Sequence, residues 1–262
     1  MKLSIITVCL NAEDVIKNTI ESVLNQTEPV YEYIFVDGAS VDNTVSIIES
    51  YRECFENRGI KFIVKSEPDK GISDAFNKGM AMATGDLIGI INADDELCES
   101  CVKNIRDVFK VENADIYYGD CIWREPKGDM YKKPSHDLKE LLYNMILYHP
   151  STFVKKNCYE TCGQYDISYK YCMDKQFLYR CFLAGKKFYY IAKPLTIFRA
   201  GGISNTNVKA VHKEGSRMAM EFGEPKLKVK VIELKKNIRY LVASLIKDTR
   251  IYSILKYDKR ID

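Results

Sequence analysis

The chain of 262 residues is 46% hydrophobic and 29% charged, a composition typical of a globular protein with a sizeable core. No apolar stretch approaches the roughly 20 residues that a membrane-spanning helix needs, which argues against an integral membrane protein. The net charge of +3 conceals an asymmetry, because residues 226–262 carry 11 Lys and Arg against 4 Asp and Glu, a net of +7, which leaves −4 on residues 1–225. An acidic body with a basic tail indicates that the tail meets an anionic surface.

The apolar start of the chain is predicted to be the first strand of the fold and not a signal peptide. It has a single basic residue, Lys2, and the polar residues Asn11, Glu13 and Asp14 follow at once. Nine cysteines without an export signal favour reduced thiols. We therefore expect a cytoplasmic protein, with the basic tail able to hold it peripherally on the inner face of the cytoplasmic membrane.

The first hundred residues alternate apolar strands with amphipathic helices. Strands are predicted at Leu3–Cys9, 33–36, 61–65 and 87–91, and helices at 12–25 with Asn11 as its cap, at 43–56 and from about Ser73 onward. This alternation predicts an α/β fold with a mainly parallel, doubly wound central sheet flanked by helices.

After residue 100 the pattern is less regular. Helices are predicted at 99–110, 137–147 and 174–184, a strand at 115–118, a connection at 205–225 and an amphipathic helical tail at 226–256. The predicted organisation is one domain at 1–205, with halves at 1–98 and 99–205, followed by the tail at 206–262.

Polar residues follow three of the predicted strands where each strand ends. Thr7 to Asn11 ends the first strand, Asp37 opens a turn after the second, and Asp94 and Asp95 follow the fourth. Because the carboxyl ends of parallel strands meet at one sheet edge, these residues predict a nucleotide-binding crevice. Asp37 could accept hydrogen bonds from a base or a ribose, whereas the alternative for Asp37-Gly38 is an ordinary tight turn.

The adjacent carboxylates Asp94 and Asp95 repel each other unless a positive charge lies beside them. A divalent cation, Mg²⁺ or Mn²⁺, is the usual partner, since it takes oxygen ligands and shares them with substrate phosphates. The alternative is a surface turn with Asp95 as the cap of the next helix. The chain has no P-loop, and the turn after the first strand has no glycine, so a dehydrogenase-like dinucleotide site is not expected.

At these positions the chain resembles the family 2 glycosyltransferases of the GT-A fold, in the branch that builds bacterial surface polysaccharides. The matching segments are S-I-I-T-V-C-L-N near the start, V-D-G-A-S-V-D-N-T at residues 36–44, S-E-P-D-K-G-I-S-D-A-F-N-K-G at residues 66–79, A-T-G-D-L-I-G at residues 83–89 and then N-A-D-D. The resemblance covers residues 1–205. It implies transfer of a sugar from a nucleotide diphosphate donor, with inversion at the anomeric carbon. For this chain we expect a UDP-linked donor rather than a GDP-linked one.

The resemblance assigns roles to residues of the first half. Thr7, Asn11 and Asp37 match positions that hold the base and the ribose. Asp95 matches the residue that usually binds the metal, and Asp94 the one that contacts the ribose or the sugar. The segment that lines the donor pocket contains Asp69, Lys70 and Asn77.

One departure from the family concerns Phe76. Many members carry arginine immediately before the asparagine that corresponds to Asn77, and here that residue is phenylalanine. Lys70 is a candidate for the missing positive charge. The departure puts base selectivity in doubt.

The second half is expected to supply the catalytic base, because an acceptor hydroxyl is a poor nucleophile until its proton is accepted. Met173-Asp174 resembles the family's E-D motif, with Asp174 in the position of the base and methionine in place of the usual acidic neighbour. The alternative is that Asp174 only caps its helix. His149 lies in a short motif before the acceptor region and is a candidate contact to the acceptor or the diphosphate.

A glycine loop follows Arg199, and in the family a loop here closes over the donor diphosphate. Arg199 would neutralise the leaving group and Ser204 could donate to a phosphate. The alternative is an ordinary connection to the tail.

The tail at 226–256 has two interpretations. Its apolar residues among lysines and arginines suit an interfacial helix on anionic lipid, as a lipid-linked acceptor would require. They also suit a helix packed on the domain or a homodimer contact.

The sequence therefore predicts a metal-dependent inverting glycosyltransferase that acts on a glycan or a polyprenyl-linked acceptor. A nucleotidyltransferase of related fold and a non-catalytic nucleotide-sugar-binding protein remain as alternatives. Nucleic-acid binding is not expected, since the basic residues lie in an amphipathic tail without a nucleic-acid motif.

Overall fold

The computed structural model describes residues 1–125, 128–199 and 206–246. Two compact units divide the chain, residues 1–202 and residues 203–262. The strands are β1 Leu3–Cys9, β2 Glu32–Asp37, β3 Lys61–Ser66, β4 Leu87–Asn92, β5 Glu96–Leu97, β6 Ile116–Glu125, β7 Gly128–Lys132, β8 Thr152–Lys155 and β9 Phe188–Arg199. The helices are α1 Ile16–Leu24, α2 Thr44–Ser50, α3 Arg52–Asn57, α4 Ile72–Met82, α5 Cys101–Val111, α6 Lys156–Cys162, α7 Met173–Leu183, α8 Val208–Glu221 and α9 Lys226–Ile246.

The described strands of the first unit form one sheet in the order β3-β2-β1-β4-β8-β6-β9-β5, and β7 pairs with β6 outside this path. Strands β1 to β4 are parallel neighbours, as the sequence predicts. Strand β8 pairs antiparallel with both β4 and β6, while β6 and β9 are parallel. The α/β fold is therefore confirmed, with antiparallel strands that the sequence does not predict in the second half.

Helices cover both faces of the parallel part of the sheet. On one face, side chains of β1 and β2 such as Ile5 and Phe35 pack with α1 residues such as Ile20 in one buried cluster. On the other face α4 lies very close to β1, because a Cβ at Gly79 would stand 2.5 Å from Cγ2 of Ile6. Strands β1, β2 and β4 are buried on both faces, which explains their nearly continuous apolar sequence, whereas β3 at the edge of the sheet is partly exposed.

Several predicted elements have different bounds in the structure. The first helix begins at Ile16 and not at residue 12, and the predicted helix 43–56 is two helices, α2 and α3. Residues 137–147 contain one 3₁₀ turn, Leu138–Leu142, which starts where Asp137 accepts the N–H of Lys139 at 3.2 Å. A single turn of this kind keeps the apolar spacing of a helix without continuing as one.

The predicted strand at 115–118 is the first part of the longer β6, and β9 was not predicted at all. Pro194 lies inside β9, where the pairing with β6 shifts register at Asp120. Proline is tolerated at such irregularities because it has no N–H to donate to the ladder.

The second unit contains α8 and α9. The prediction of a connection at 205–225 is wrong for residues 208–221, which form α8. Gly223, with φ of 90°, ends α8, and Pro225 precedes α9, so the two helices are joined by a tight turn. His212 and Asn237 meet through a 2.7 Å hydrogen bond between Nδ1 and Oδ1, as in an antiparallel helix pair.

Helix α9 confirms the predicted tail helix as far as residue 246, and residues 247–256 lie outside the described residues. Among the helices that the structure describes, none combines the length and the apolar character that a bilayer-spanning segment requires. The predicted boundaries at residues 98 and 205 stay predictions.

All nine cysteines lie in the described part of the chain and all nine are free thiols. Cys54 on α3 is exposed, and Cys98 and Cys162 are half-buried, while the remaining six are buried. Burial raises the pKa of the Cys121 thiol to about 11 and that of Cys98 to about 12.

Candidate active site

The carboxyl ends of β1, β2 and β4 lie side by side, because these strands are parallel and adjacent. Cys9 is the register partner of Asp37, and Val8 that of Asn92. The loop with Asn11, the turn at Asp37 and the acidic pair at 94–95 therefore open at the same sheet edge, which is the edge where open α/β sheets bind ligands.

Asp37 organises the loops at this edge from beneath. It has no exposed surface, and its Oδ2 accepts the N–H of Ser40 at 2.9 Å and the hydroxyl of Ser66 at 2.6 Å. The Ser40 hydroxyl donates to the other carboxylate oxygen. The carboxylate thus already has partners on β3 and on the turn after β2. A direct contact to a base or a ribose stays a prediction.

Asn11 joins the first loop to the second. Its N–H donates to Oγ of Ser40 at 2.8 Å, and its Oδ1 accepts the N–H of Val41 at 3.0 Å. Asn11 and Ala39 are the two non-glycine residues with positive φ among those described, at 49° and 64°. Backbone held in this sparsely populated region is common at ligand sites. The prediction that Asn11 caps the first helix is wrong, because that helix begins five residues later and Asn11 is bonded elsewhere.

Thr7 has no exposed surface either. Its hydroxyl lies 3.0 Å from the hydroxyl of Tyr33, inside the sheet. A contact between Thr7 and the base of the nucleotide stays a prediction, and within the fold the side chain already has Tyr33 as its partner.

Asp69 and Lys70 lie where the segment after β3 approaches the turn at Gly38. Oδ1 of Asp69 accepts the N–H of Gly71 at 2.7 Å, and a Cβ at Gly38 would stand 2.7 Å from Oδ2 of Asp69. Only glycine at position 38 lets this carboxylate come so close. Lys70 is exposed, with its N–H bonded to Oδ2 of Asp74 at 3.0 Å.

The acidic pair has a buried member and a half-buried one. Asp95 is fully buried, and its carboxylate accepts from Nδ2 of Asn92 at 3.0 Å and from the N–H of Arg199 at 3.3 Å. Burial and the charge of Asp94 raise the pKa of Asp95 to about 8. Burial also raises the pKa of Asp94, against the opposing charge of Arg199. Asp95 does not cap a helix, since β5 follows it and α5 begins at Cys101.

The residues around Asp95 fit a hard divalent cation. Oδ1 of Asn92 is buried and has no hydrogen-bond partner among the described residues. The buried carboxylate of Asp95 beside it accepts from an amide and a backbone N–H, and no described Lys or Arg side chain is hydrogen-bonded to it. The described residues form no group of three or more His, Cys, Asp or Glu side chains placed to hold a metal. Asp94 and Asp95 could therefore supply only two carboxylates. Such a partial set suits Mg²⁺ or Mn²⁺, which commonly take their other ligands from substrate phosphates and water.

Arg199 ends β9 beside the acidic pair. The short strand β5 pairs with β9 through Glu96 and Ile197, and Glu96 also forms a 2.7 Å ion pair with Arg124 on β6. These contacts hold the end of β9 against the turn that carries Asp95. Ser204, the other residue predicted in this loop, lies outside the described residues.

Asp174 is the second residue of α7 and is half-buried. Its Oδ1 accepts the N–H of Lys175 at 2.7 Å. The N-cap position is Cys172, so Asp174 does not occupy the capping position that the alternative interpretation gives it. Its charge acts on the pKa of both His149 and Tyr165, which places the three side chains in one neighbourhood.

His149 stacks face to face on Phe76, with ring centroids 5.0 Å apart and an angle of 6° between the planes. Phe76 also meets Tyr165 edge-on at 5.3 Å. Burial lowers the pKa of His149, and the nearby Asp174 opposes this shift. Phe76, which stands where the family resemblance predicts arginine, therefore packs against His149 and Tyr165 in the neighbourhood of Asp174.

Asn77 lies one residue further along α4 and holds the backbone of Tyr165. Its Nδ2 donates to the carbonyl of Tyr165 at 2.8 Å, and its Oδ1 accepts the N–H of the same residue at 3.0 Å. Ser73, one turn earlier, donates to the carbonyl of Tyr169 at 2.7 Å. Both polar atoms of the Asn77 amide thus hold the segment before α7 in place. The sequence does not reveal this contact, since the partners lie 88 residues apart.

Comparisons with known proteins identify the family and the fold of the chain. The sequence model of the family described as "Glycosyl transferase family 2" matches residues 4–182. The chain is 30% identical over 211 residues to the "PGL/p-HBAD biosynthesis glycosyltransferase" of Mycobacterium bovis, covering 78% of this chain and 80% of that relative. It is 34% identical over 94 residues to the "Putative teichuronic acid biosynthesis glycosyltransferase TuaG" of Bacillus subtilis, covering 36% of each.

Solved structures of low sequence identity share the fold. One is S. aureus TarS 1–349 in complex with UDP-GlcNAc, with a TM-score of 0.69, 16% identity, and coverage of 92% of this chain and 73% of that one. Another is the mannosyltransferase PcManGT from Pyrobaculum calidifontis in complex with GDP-Man and Mn²⁺, with a TM-score of 0.66, 16% identity, and coverage of 98% and 79%. The fold is therefore the GT-A fold.

Proposed function

The chain belongs to glycosyl transferase family 2, and from this membership we propose that it transfers a sugar from a nucleotide diphosphate donor, with inversion at the anomeric carbon, to a hydroxyl of a glycan or a polyprenyl-linked saccharide. The observation that carries the proposal is a pair of acidic sites of different character. Asp94 and Asp95 lie at the end of β4 beside Arg199, and Asp174 lies at the start of α7 beside His149. Transfer needs both, one for the leaving diphosphate and one for a proton.

Asp174 is the proposed general base. Its Oδ1 is engaged by Lys175, while Oδ2 makes no hydrogen bond with any described residue and so is available to the acceptor. The acceptor oxygen attacks C1 of the donor sugar, and the bond from C1 to the diphosphate oxygen breaks with its electron pair going to the diphosphate. The hydroxyl proton passes to Asp174, which raises the nucleophilicity of the oxygen as the bond forms.

Asp95, supported by Asp94, is the proposed ligand of Mg²⁺ or Mn²⁺. When bound, the cation supplies positive charge to the leaving diphosphate. Arg199 adds a fixed positive charge at the end of β9, and its backbone N–H holds the carboxylate of Asp95 in place. Ser204 is proposed to donate to a phosphate.

The nucleotide is proposed to lie over the loops at the ends of β1 and β2. Asn11 and Lys70 are exposed there and can reach it, with Asp69 beside them. Thr7 and Asp37 are buried and support these loops from below. A UDP-sugar is the proposed donor, and the complex of TarS with UDP-GlcNAc supports it. PcManGT is bound to GDP-Man, so both nucleotides belong in a donor screen.

The proposed pathway is synthesis of a surface polysaccharide. Support comes from the similarity to relatives that include a putative teichuronic acid biosynthesis glycosyltransferase. His149, stacked on Phe76 and close to Asp174, is proposed to contact the acceptor.

Replacing Asp174 by asparagine tests the proposal. We expect Asp174→Asn to bind UDP-sugar as tightly as the unchanged protein and to lose transfer by about 100-fold or more, the usual contribution of a general base. Calorimetry measures donor binding, and release of UDP measures turnover. Asp107→Asn, which alters an exposed ion pair with Lys103, is the matched control and should leave both quantities unchanged.

Near-normal turnover of Asp174→Asn would remove Asp174 from the role of base. Donor binding without release of UDP by the unchanged protein, with any acceptor or with water, would favour the non-catalytic alternative. Formation of a nucleotide-sugar from a nucleoside triphosphate and a sugar phosphate would favour the nucleotidyltransferase. NMR of the product tests inversion directly.

A further inference from the structure

Helix α9 exposes a narrow stripe of apolar side chains along its whole length. Consecutive members are mostly three or four residues apart, so they share one side of the helix. The apolar stripe consists of Leu227, Val231, Leu234, Ile238, Leu241, Val242 and Leu245, with exposed fractions from 43% at Val231 to 79% at Leu227. A contiguous exposed row of this kind marks an interaction surface.

The opposite side of α9 already has its partner within the unit. Val229 is 2% exposed, and Asn237 bonds to His212 on α8. At 100° per residue Val229 lies on the side of the helix away from Leu234 and Ile238, whereas Asn237 lies at one edge of the apolar stripe, next to Leu241. The apolar stripe is therefore left over after the helix pair has formed.

Basic residues border the apolar stripe. By the same helical geometry Lys228, Lys235 and Arg239 lie along one border, and Lys230 lies along the other. Residues 226–246 contain six Lys or Arg and one acidic residue, Glu233, which pairs with Lys230 at 2.8 Å. Lys228 pairs with Glu224 at 2.8 Å, and the described residues place no acidic group within ion-pair distance of Lys235 or Arg239.

Charge decides between the two occupants that such a stripe suits. A second copy of the chain in a parallel two-stranded coil would bring Lys230 opposite Lys235 of the second copy, across the apolar seam. Like charges in these flanking positions oppose pairing. A bilayer with anionic headgroups attracts all of them, because lysine and arginine can lay their stems along the apolar boundary and place their charges among the phosphates.

We propose that α9 binds flat on an anionic lipid bilayer, with the apolar stripe entering the boundary between headgroups and acyl chains. The helix is about 31 Å long at 1.5 Å per residue, so the whole stripe can lie in the interface. The inference does not depend on sugar transfer. It adds that the protein binds an anionic bilayer by itself, without a partner protein.

Vesicle flotation of the full chain, without donor or acceptor, tests this proposal. We expect binding to vesicles of phosphatidylcholine with 30% phosphatidylglycerol and little binding to phosphatidylcholine alone. Binding should weaken steeply between low and high salt, because exposed charges are screened. Each basic residue at the surface contributes about 1 kcal/mol, about a fivefold change in the partition coefficient. The variant Lys228→Gln/Lys235→Gln/Arg239→Gln should therefore bind the mixed vesicles more than tenfold more weakly.

The variant Leu234→Asn/Ile238→Asn removes two members of the apolar stripe and leaves the packed side of α9 intact. We expect it to lose vesicle binding by tenfold or more, with circular dichroism and donor binding unchanged. The matched control is Val111→Asn, which alters an apolar side chain that is 78% exposed on α5. This control should float like the unchanged protein.

Three results would overturn the proposal. The unchanged protein could fail to float with anionic vesicles, or it could float equally well with phosphatidylcholine alone. It could also be a dimer in light scattering that Leu234→Asn/Ile238→Asn converts to a monomer, in which case a second copy covers the stripe. Each result stands whether or not the chain proves to be a transferase, since no donor is present in the assay.

Discussion

Asn77 on α4 fixes a stretch of backbone that lies near the proposed base. Its amide meets both backbone groups of Tyr165, and Tyr165 belongs to the group that surrounds Asp174. Phe76, the neighbour of Asn77 on α4, stacks on His149. Through these two residues α4 holds the surroundings of the proposed base in place. The family resemblance places Asn77 in the donor pocket, whereas these contacts point to a positioning role.

The substitution Asn77→Asp separates the two roles. Aspartate can still accept the N–H of Tyr165 but cannot donate to its carbonyl, so the free energy of unfolding should fall by about 1–3 kcal/mol, the cost of an unmet buried hydrogen bond. We expect kcat to fall several-fold while the affinity for UDP stays unchanged, as measured by steady-state kinetics and calorimetry. Lys70→Ala provides the comparison, since it should weaken donor binding. A loss of UDP affinity in Asn77→Asp would return Asn77 to the donor pocket.

At the scale of secondary-structure elements, Glu32 ties together the ends of the parallel strands opposite the site. It is fully buried on β2 and accepts from Oγ of Ser4 on β1 at 2.6 Å and from the hydroxyl of Thr84 before β4 at 2.8 Å. Lys61 on β3 lies 3.5 Å from Oε2. Burial alone would raise the pKa of Glu32, but these hydrogen bonds and the charge of Lys61 lower it below 4.5.

This lowered pKa predicts how stability depends on pH. A carboxyl whose pKa is lower in the folded state contributes stability above its unfolded pKa, and that contribution is lost as pH falls from about 4.5 through the folded value. Glu32→Gln should be less stable by about 2 kcal/mol at pH 7 and should lose less stability than the unchanged protein on acidification. Urea unfolding at pH 7 and pH 4 measures both effects.

Glu49→Gln is the control for this prediction, because it removes an exposed ion pair with Arg52 and should cost less than 1 kcal/mol. Equal stability of Glu32→Gln and the unchanged protein at pH 7 would show that the carboxylate does not hold the strands together.

The parallel half of the sheet could be predicted from the sequence because each of its strands is an apolar run between turn residues. The antiparallel half could not. Strand β5 has two residues and β8 has four, too few for a periodic signal, and β9 contains Pro194. Their pairing is decided by contacts between residues far apart in the chain.

The candidate site could also be predicted only in part. The position of Asp37 at the sheet edge follows from its place at the end of a strand. The burial of Asp37 could not be predicted, because both faces of β2 are covered and the strand shows no alternation of apolar and polar residues. The stack of Phe76 on His149 joins residues 73 positions apart, and no local pattern predicts it.

At the scale of the whole molecule, the proposed cation site is incomplete until the donor is present. The described residues offer Asp94 and Asp95, and no third carboxylate, histidine or thiol is placed with them. Because phosphate oxygens would complete the ligand set, the cation and the nucleotide should each strengthen the binding of the other by the same factor.

We therefore expect Mn²⁺ to bind at least tenfold more tightly when UDP is present than when it is absent. Electron paramagnetic resonance of free Mn²⁺ measures this directly, and calorimetry of UDP with and without Mn²⁺ should give the same factor. Asp95→Ala should abolish the difference, and Asp107→Asn should preserve it. Equal Mn²⁺ affinity in both conditions would mean that the two ligands do not share a site.

The distribution of the nine thiols has a practical consequence. Eight are buried or half-buried, and burial keeps thiols such as Cys98 and Cys121 protonated at neutral pH, whereas Cys54 on α3 is exposed. A maleimide fluorophore or a nitroxide reagent should therefore attach to Cys54 first. The natural sequence thus carries its own position for a spectroscopic label, and distances from that position could be followed without introducing any substitution.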